Sequence, residues 1–371
     1  MKIAFVVHDF HRKGGHSRYT VELAERFARE HEVHVFANRI DDAGASAIQF
    51  HRIPALRMTA LTTILSFPVP ATVALGRGFD VVHAQGLVCA GANVITAHIC
   101  NATWYDARRR SADEIRATEH LFAAIVNRLE SRLFRGSTRA EIIAVSNRVA
   151  SDLGTAYGRT DRVSVIYHGV DLDRFSPRNR DRYRSAVRQS LDIPEDALVA
   201  LYVGDLRKGG RTAIEALTAA PAWRLLTVSR SSPELYAAYA EELGVRDRVV
   251  LAPSTDVVEQ FYAAADAFLF PSENDAFGMV VTEAMASGLP VIVSAAAGAS
   301  EIVEHGSSGF VLASAEAAAE AGACLSAWSD DRVALARTGA AAREAVMPYT
   351  WDAIARQTME VYLRAVRERH G

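Results

Sequence analysis

The amino-acid sequence predicts an α/β protein with two Rossmann-like domains, each built on a doubly wound parallel sheet, that face a cleft. Strand-like apolar runs alternate with helix-like patterns in the first half of the chain, and the alternation restarts after about residue 170. Such alternation is typical of right-handed βαβ units in a parallel sheet. The chain has 371 residues, of which 50% are apolar, so it is long enough for two domains with separate cores.

The strands and helices follow one another in two series. In the first series, the strand-like runs are Lys2–Val7, Val33–Phe36, Asp80–His83, Val94–Ala97 and Ile142–Val145, and Ser17–Glu30 has helical spacing. In the second series, the strand-like runs are Val199–Val203, Leu225–Val228, Val249–Leu251, Ala267–Phe270 and Val291–Val293. Helices are predicted between them over Thr212–Ala219, Pro233–Leu243 and Val257–Ala265.

A turn-rich segment, Tyr167–Phe175, separates the two series, and Trp351–Arg367 has the spacing of an amphipathic helix. We therefore predict an N-terminal domain over residues 1–172, a C-terminal domain over 173–348 and a C-terminal helix over 349–371. Tandem doubly wound domains usually enclose a cleft lined by the carboxyl ends of their strands, so we expect the functional site there.

Composition narrows the class of protein. Cys89, Cys100 and Cys324 have no CxxC spacing, which argues against a disulfide framework or a zinc site. The opening residues have the pattern of a short buried strand rather than of an export signal, so we expect a cytoplasmic protein. The net charge is −3, yet the first half has more basic than acidic residues. This excess fits either ordinary scatter of surface charge or a surface that faces an anionic acceptor or membrane.

One uncharged apolar segment, Met58–Gly76, lies between Arg57 and Arg77. Its length approaches that of a transmembrane helix, but Pro68 and Pro70 interrupt it and several threonines dilute it. A packed core segment, an interfacial or acceptor-facing helix and a membrane span all remain open, and the prolines argue most strongly against the span.

The strongest chemical signal is the segment Phe270–Pro290, in which a strand ends, a polar loop follows and a helix begins near Gly278. Backbone N–H groups at a helix start bind anions such as a diphosphate. Asp275 precedes the helix and Glu283 lies within it, so the two carboxylates flank the anion site about 10 Å apart. A nucleotide sugar carries hydroxyls on both sides of its diphosphate, which matches this layout. The alternative is an N-capping Asp and a solvated Glu.

Two other groups suit the same ligand. Arg207 and Lys208 follow the strand that ends at Gly204, and fixed cations stabilise the charge that develops on a departing diphosphate. A solvated loop is the alternative. Gly14 and Gly15 follow the first strand and allow a phosphate or an acceptor to approach the backbone closely, although they also suit a plain tight turn. Because the cations and N–H groups would neutralise the diphosphate, no metal is required.

These residues make nearly the whole chain resemble the retaining glycosyltransferases of the GT-B fold, family four of the glycosyltransferase classification. The motifs that carry the resemblance are Gly14-Gly15, His98 in Thr96-Ala97-His98, Ala144-Val145-Ser146, the interdomain signature His168–Pro177, Gly204 to Gly209, the block Phe270–Pro290 and Trp351 at the start of a return helix. The resemblance implies that the N-terminal domain binds the acceptor, that the C-terminal domain binds the donor, and that the last helix returns to the N-terminal domain.

The resemblance also implies the site and its ligands. The donor is expected to be a UDP- or GDP-linked sugar, used as co-substrate, with no other cofactor and no metal. The implied catalytic residues are His98, Asp275, Arg207 and Lys208, and the implied donor-binding residues are Gly14, Gly15, Gly204, Phe277, Gly278, Met279, Val280 and Glu283.

Roles within this set follow from the resemblance. Glu283 is expected to bind ribose hydroxyls and Asp275 sugar hydroxyls, while His98 hydrogen-bonds the donor sugar and does not act as a general base. The family usually has Glu where this chain has Asp275, which is shorter by one methylene, so the donor sugar stays open. Nucleobase contacts are expected near Ser229-Arg230 and Ala252-Pro253.

The acceptor is the least defined partner. The basic cluster Arg108–Arg110 and the Met58–Gly76 run point to a lipid-linked or anionic glycan and to peripheral contact with the inner leaflet of a membrane. No nucleic-acid partner is expected, and the oligomeric state stays open. The expected pathway is bacterial glycan, glycolipid or secondary-metabolite biosynthesis. The alternatives are a non-catalytic sugar-nucleotide-binding protein, another GT-B enzyme such as a phosphorylase, synthase or epimerase, and an NAD-dependent Rossmann enzyme, which the missing GxGxxG disfavours.

Overall fold

The computed structural model describes residues 1–41, 47–110, 117–135 and 139–370. The chain forms two compact units. Unit 1 consists of Met1–Gly169 and Trp351–Gly371, and unit 2 consists of Val170–Thr350.

Unit 1 is a parallel sheet of seven strands in the order β3-β2-β1-β4-β5-β6-β7. The strands are β1 (Lys2–Phe10), β2 (Glu32–Ile40), β3 (Ile48–Arg52), β4 (Val81–Gln85), β5 (Val94–Ala97), β6 (Glu141–Ala144) and β7 (Val163–Val165). The helices that precede the second unit are α1 (Gly15–Phe27), α2 (Ala60–Ser66), α3 (Pro68–Leu75), α4 (Asn101–Arg110), α5 (Ala117–Phe134) and α6 (Asn147–Tyr157). The central strand β1 is buried almost along its length, because both faces of the sheet are covered.

Unit 2 is a parallel sheet of six strands in the order β10-β9-β8-β11-β12-β13. The strands are β8 (Leu198–Val203), β9 (Trp223–Ser229), β10 (Val249–Pro253), β11 (Ala267–Phe270), β12 (Val291–Ser294) and β13 (Gly309–Leu312). The helices are α7 (Asn179–Ser190), α8 (Gly210–Glu215), α9 (Glu234–Glu242), α10 (Val258–Ala264), α11 (Met279–Ala286), α12 (Ala318–Asp330) and α13 (Arg332–Val346).

The last helix, α14 (Trp351–His370), belongs to unit 1. Its Tyr362 hydroxyl is hydrogen-bonded to Nδ1 of the buried His83 at 2.7 Å. Trp351 is buried against Gly169, where a Cβ atom would lie 2.6 Å from the indole ring. A side chain at position 169 would therefore displace the start of α14.

Both sheets have the strand order of a doubly wound fold. The first strand of each sheet lies inside it, with β2 and β4 on either side of β1, and β9 and β11 on either side of β8. The pairings between the described strands are parallel, so the carboxyl ends of the strands lie on one edge of each sheet. Ligands in such folds bind at that edge, where the strand order reverses. The predicted fold class, two parallel-sheet α/β domains, is confirmed.

The uncharged Met58–Gly76 segment forms the two short helices α2 and α3. Phe67, Ala71 and Leu75 are buried, but Met58, Val69 and Val73 are 82%, 70% and 77% exposed. A packed core segment is therefore the wrong interpretation for much of this run. Among the described residues, no helix is both long and apolar enough to cross a membrane.

Candidate active site

The predicted cations lie on a single 3₁₀ turn, Leu206–Lys208, that follows β8. We call this the cation turn. Asp205 begins the turn, and its Oδ1 accepts the backbone N–H of Arg207 at 3.0 Å. Gly204 precedes the turn with φ +142°, a conformation that favours glycine. The cation turn therefore emerges from the carboxyl end of the first strand of unit 2.

Each cation of the turn is paired with a carboxylate. Arg207 Nη2 lies 2.6 Å from Asp205 Oδ2, and this guanidinium holds the pKa of Asp205 at about 2. Lys208 Nζ lies 3.1 Å from Asp275 Oδ2. The structure thus brings together three of the four predicted catalytic side chains, Arg207, Lys208 and Asp275, in unit 2.

The loop after β11 is held against the cation turn by backbone contacts. The Glu273 N–H donates to the Lys208 carbonyl at 2.9 Å. Gly209, with φ +149°, lies so close to Pro271 that a Cβ atom would be 2.8 Å from its carbonyl carbon and nearer still to its oxygen. Only glycine permits this approach, which places the two loops side by side.

The start of α11 is the expected anion site. Gly278 precedes the helix with φ +90°, and the first N–H groups of any α-helix have no partner within the helix, here those of Met279 and Val280. Asp275 Oδ1 accepts the Phe277 N–H at 3.3 Å. In this structure the Phe277 N–H therefore contacts Asp275, and its predicted contact with a donor phosphate stays a prediction.

Glu283 lies on α11 and is buried. The Tyr262 hydroxyl lies 3.1 Å from both Glu283 Oε2 and the Val280 carbonyl oxygen, and these two acceptors share its single proton. Tyr262, on α10, was not singled out by the sequence. It fixes the carboxylate that we expect to bind ribose.

A cavity of about 450 Å³ opens beside the cation turn. Its lining includes Leu206, Thr227, Ser229, Ser231, Ala252 and Pro253. The two strand ends at which nucleobase contacts are predicted thus line this cavity. Ser231 joins it to the cation turn, because Ser231 Oγ accepts the Leu206 N–H and donates to Asp205 Oδ1, both at 3.1 Å.

Unit 1 gathers the other predicted residues at the carboxyl edge of its own sheet. Gly14, with φ +93°, precedes α1, which begins at Gly15. The His16 ring lies 5.5 Å from that of His98, which directly follows β5. Two of the predicted donor-binding residues, Gly14 and Gly15, thus lie in unit 1 with His98, whereas the other predicted donor-binding residues lie in unit 2.

His98 is a neutral histidine in this environment. Burial and the neighbouring His16, His168 and His83 place its pKa well below 6.5. Its Nε2 lies 2.8 Å from Gln85 Oε1, a carbonyl oxygen that can only accept. The single ring proton is therefore on Nε2, and Nδ1, which has no partner among the described residues, is an acceptor. This arrangement suits hydrogen bonding to a sugar hydroxyl.

Two family models match most of the chain between them. The model described as glycosyltransferase family 4 matches residues 13–174, and that of the glycosyl transferases group 1 matches residues 184–345. The chain belongs to the GT-B glycosyltransferases of group 1. The second match contains the cation turn, the cavity and the start of α11.

A curated relative agrees with this assignment, and solved structures agree with the fold. The chain is 33% identical, over 241 residues, to a D-inositol 3-phosphate glycosyltransferase of Xylanimonas cellulosilytica; the match covers 62% of this chain and 58% of the relative. The chain thus spans little more than half the length of the curated relatives it matches. WaaG, a glycosyltransferase involved in lipopolysaccharide biosynthesis, has a similar fold, with a TM-score of 0.80, 22% identity and coverage of 97% and 99%. Anabaena HepE, solved in complex with UDP-glucose, has a TM-score of 0.72 and 21% identity, and the match covers 97% of this chain and 98% of HepE.

Proposed function

We propose that this protein transfers a sugar from a UDP- or GDP-linked donor to an acceptor hydroxyl. One observation carries the proposal: in unit 2, two adjacent cations and a helix start follow β8 and β11, between which the strand order reverses, and a cavity opens beside the cations. The HepE complex supports it, because that protein of similar fold binds UDP-glucose.

The donor would bind across these features in order. The nucleobase would enter the cavity, and Glu283 would accept hydrogen bonds from ribose hydroxyls. The diphosphate would lie on the N–H groups at the start of α11, beside Lys208 and Arg207. Fixed charges already in place stabilise a leaving diphosphate without reorganisation during the reaction. Asp275 would then accept hydrogen bonds from the sugar.

We also propose that the reaction proceeds with retention and without a metal. The match to glycosyltransferase family 4 supports retention, because the family that the chain resembles is a retaining one in which the leaving phosphate takes the proton of the acceptor. The Asp171-Leu172-Asp173 spacing resembles a metal-binding pair. Asp171 Oδ1, however, accepts the backbone N–H groups of Asp173 and Arg174 at 3.0 and 2.9 Å, which supports a structural role.

Donor binding and stereochemistry test this proposal. Calorimetry with UDP, GDP, UDP-glucose and GDP-mannose should show saturable binding of one nucleotide class in the presence of EDTA. Proton NMR of the sugar released early in the reaction should show the anomeric configuration of the donor. Binding of neither nucleotide would exclude a sugar-nucleotide donor, and an inverted product would exclude retention.

For the acceptor, we propose an anionic polyol or glycan, either free or lipid-linked. The relative from Xylanimonas cellulosilytica is a D-inositol 3-phosphate glycosyltransferase, and the first half of this chain has an excess of basic residues. The Arg108 and Arg110 side chains lie outside the described residues, so this cluster stays a prediction. Transfer to D-inositol 3-phosphate, with unphosphorylated inositol as control, tests the requirement for an anionic acceptor.

We further propose that unit 1 contacts an anionic membrane surface through α2 and α3. Five apolar side chains in and next to these helices are exposed: Leu56, Met58, Leu65, Val69 and Val73. No acidic residue occurs from position 49 to 79. Arg52 and Arg77, on either side of the exposed apolar side chains in the sequence, are exposed. Apolar side chains bordered by cations favour an interface with anionic lipids.

A matched pair of variants tests the membrane contact. Val73 is 77% exposed on α3 and Val333 is 76% exposed on α13 of unit 2. Val73→Ser should weaken co-sedimentation with phosphatidylglycerol vesicles about threefold or more, whereas Val333→Ser should not change it. Phosphatidylcholine vesicles should bind less protein. Equal effects of the two substitutions, or no binding to anionic vesicles, would contradict the proposal.

A further inference from the structure

Two carboxylates outside the cation turn balance its two positive charges in the free protein. Arg207 is paired with Asp205 and Lys208 with Asp275, at 2.6 and 3.1 Å, so two positive and two negative charges cancel. The cations that the proposed function assigns to the diphosphate are therefore already bound to carboxylates. A diphosphate would have to compete for them.

The diphosphate can win this competition because both ion pairs are accessible to solvent. The Arg207 side chain is 80% exposed, and Lys208 is also exposed to solvent. Exposed ion pairs contribute about 0–1 kcal/mol. A diphosphate offers more negative charge than one carboxylate and can accept bidentate hydrogen bonds from arginine.

The two carboxylates are anchored independently of the cations. Asp205 Oδ1 accepts hydrogen bonds from the Arg207 backbone N–H and from Ser231 Oγ. Asp275 Oδ1 accepts the Phe277 N–H, and the Asp275 backbone is bonded to Ala296 and Gly298. Both carboxylates can therefore keep their positions when the cations move to another partner.

We propose that Asp205 and Asp275 hold Arg207 and Lys208 in the free protein and release them to the diphosphate of the donor. The proposal rests on the proposed function. Release of Lys208 leaves the Asp275 carboxylate available for the sugar, so binding of the diphosphate prepares the sugar site. Asp205 is thus a positioning residue, and Ser231 links it to the cavity beside the turn.

Nucleotide affinity tests this exchange. Asp205→Asn removes the competing charge, while its amide oxygen can still accept the Arg207 N–H and the Ser231 hydroxyl. Titration calorimetry with UDP and GDP should show binding about fivefold tighter than in the wild-type protein, about 1 kcal/mol. Asp247→Asn, which removes an exposed carboxylate elsewhere in unit 2, should change the affinity less than twofold.

Asp275→Asn separates binding from use of the sugar. The variant should also bind the nucleoside diphosphate more tightly than the wild-type protein. It should nevertheless cleave the nucleotide sugar to nucleoside diphosphate more slowly. Equal or weaker nucleotide binding by Asp205→Asn, in a variant with wild-type melting temperature, would overturn the exchange alone. Failure of the wild-type protein to bind either nucleotide would overturn the exchange and the proposed function together.

Discussion

Gly209 joins the cation turn to the loop after β11, and replacing it by alanine tests that junction. The Cβ atom of Gly209→Ala would lie 2.8 Å from the Pro271 carbonyl carbon and would overlap its oxygen. The φ of +149° adds strain, because side chains rarely occupy that region. Overpacking costs about 1–3 kcal/mol and backbone strain about 1–3 kcal/mol, so unit 2 should lose about 4 kcal/mol.

Relief of this overlap would move the cation turn away from Pro271. The hydrogen bond from the Glu273 N–H to the Lys208 carbonyl would then lengthen from 2.9 Å, and Lys208 would leave its position beside Asp275. We therefore expect a lower melting temperature, by about 8–16 °C for a domain of this size, together with slower release of nucleoside diphosphate from a nucleotide sugar.

Gly244→Ala is the matched control in the same unit. Gly244 also has a positive φ, +68°, but a Cβ atom there meets nothing within 4 Å. It should cost only the strain of the left-handed conformation, about 1–2 kcal/mol, and leave turnover unchanged. If the two alanine variants had equal melting temperatures and equal turnover, the junction between the two loops would not have the role argued from this structure.

Three other predictions follow from single contacts. Tyr262→Phe removes the hydroxyl that donates to Glu283 and should weaken UDP or GDP binding about fivefold in calorimetry without changing the ratio of donor sugars used; unchanged affinity would contradict the role of Glu283. Asp275→Glu should change the ratio of kcat/KM values between donor sugars while UDP affinity stays within about threefold, and an unchanged ratio would exclude a sugar contact. Burial lowers the pKa of His83 to about 3 in the folded protein. Below pH 6.5 the unfolded chain therefore binds more protons than the folded one. The free energy of unfolding should fall as pH falls from 6.5 towards 3. His83→Asn should remove about 1.4 kcal/mol per pH unit from that slope in urea unfolding between pH 4 and 6, and an unchanged slope would contradict a neutral buried His83.

The central strands could be predicted because burial on both faces makes them continuous apolar runs. Val199–Val203 falls within β8, and Val94–Ala97 is β5 as the structure has it. Of the edge strands, β10 was predicted as Val249–Leu251, whereas β3, β7 and β13 were missed. β7 has only three residues, and β3 mixes apolar with polar side chains. Helix α7 was missed because it is strongly polar; its arginines, including Arg188, pair with Asp266, which lies far away in the sequence.

The candidate site could be predicted only in part, because some of its contacts join residues that are far apart in the sequence. Arg207, Lys208 and the Phe270–Pro290 segment carry local signals, because cations after a strand and a loop before a helix are short patterns. The pairing of Asp205 with Arg207, and the link from Asp205 to Ser231, depend on side-chain directions and on the parallel pairing of β8 with β9. Gly209 and Pro271 meet because β8 and β11 are neighbours. No single-sequence pattern fixes such contacts.

Release of nucleoside diphosphate from UDP-glucose and GDP-mannose in the presence of EDTA tests the central claim most directly. The wild-type protein should release UDP or GDP from at least one donor. Lys208→Ala should do so about 10²–10³-fold more slowly, as when one pre-positioned charge donor is removed, with its melting temperature preserved. Equal rates in the two proteins, or no release from any sugar nucleotide that the wild-type protein binds, would contradict the assignment of the cation turn to the donor diphosphate.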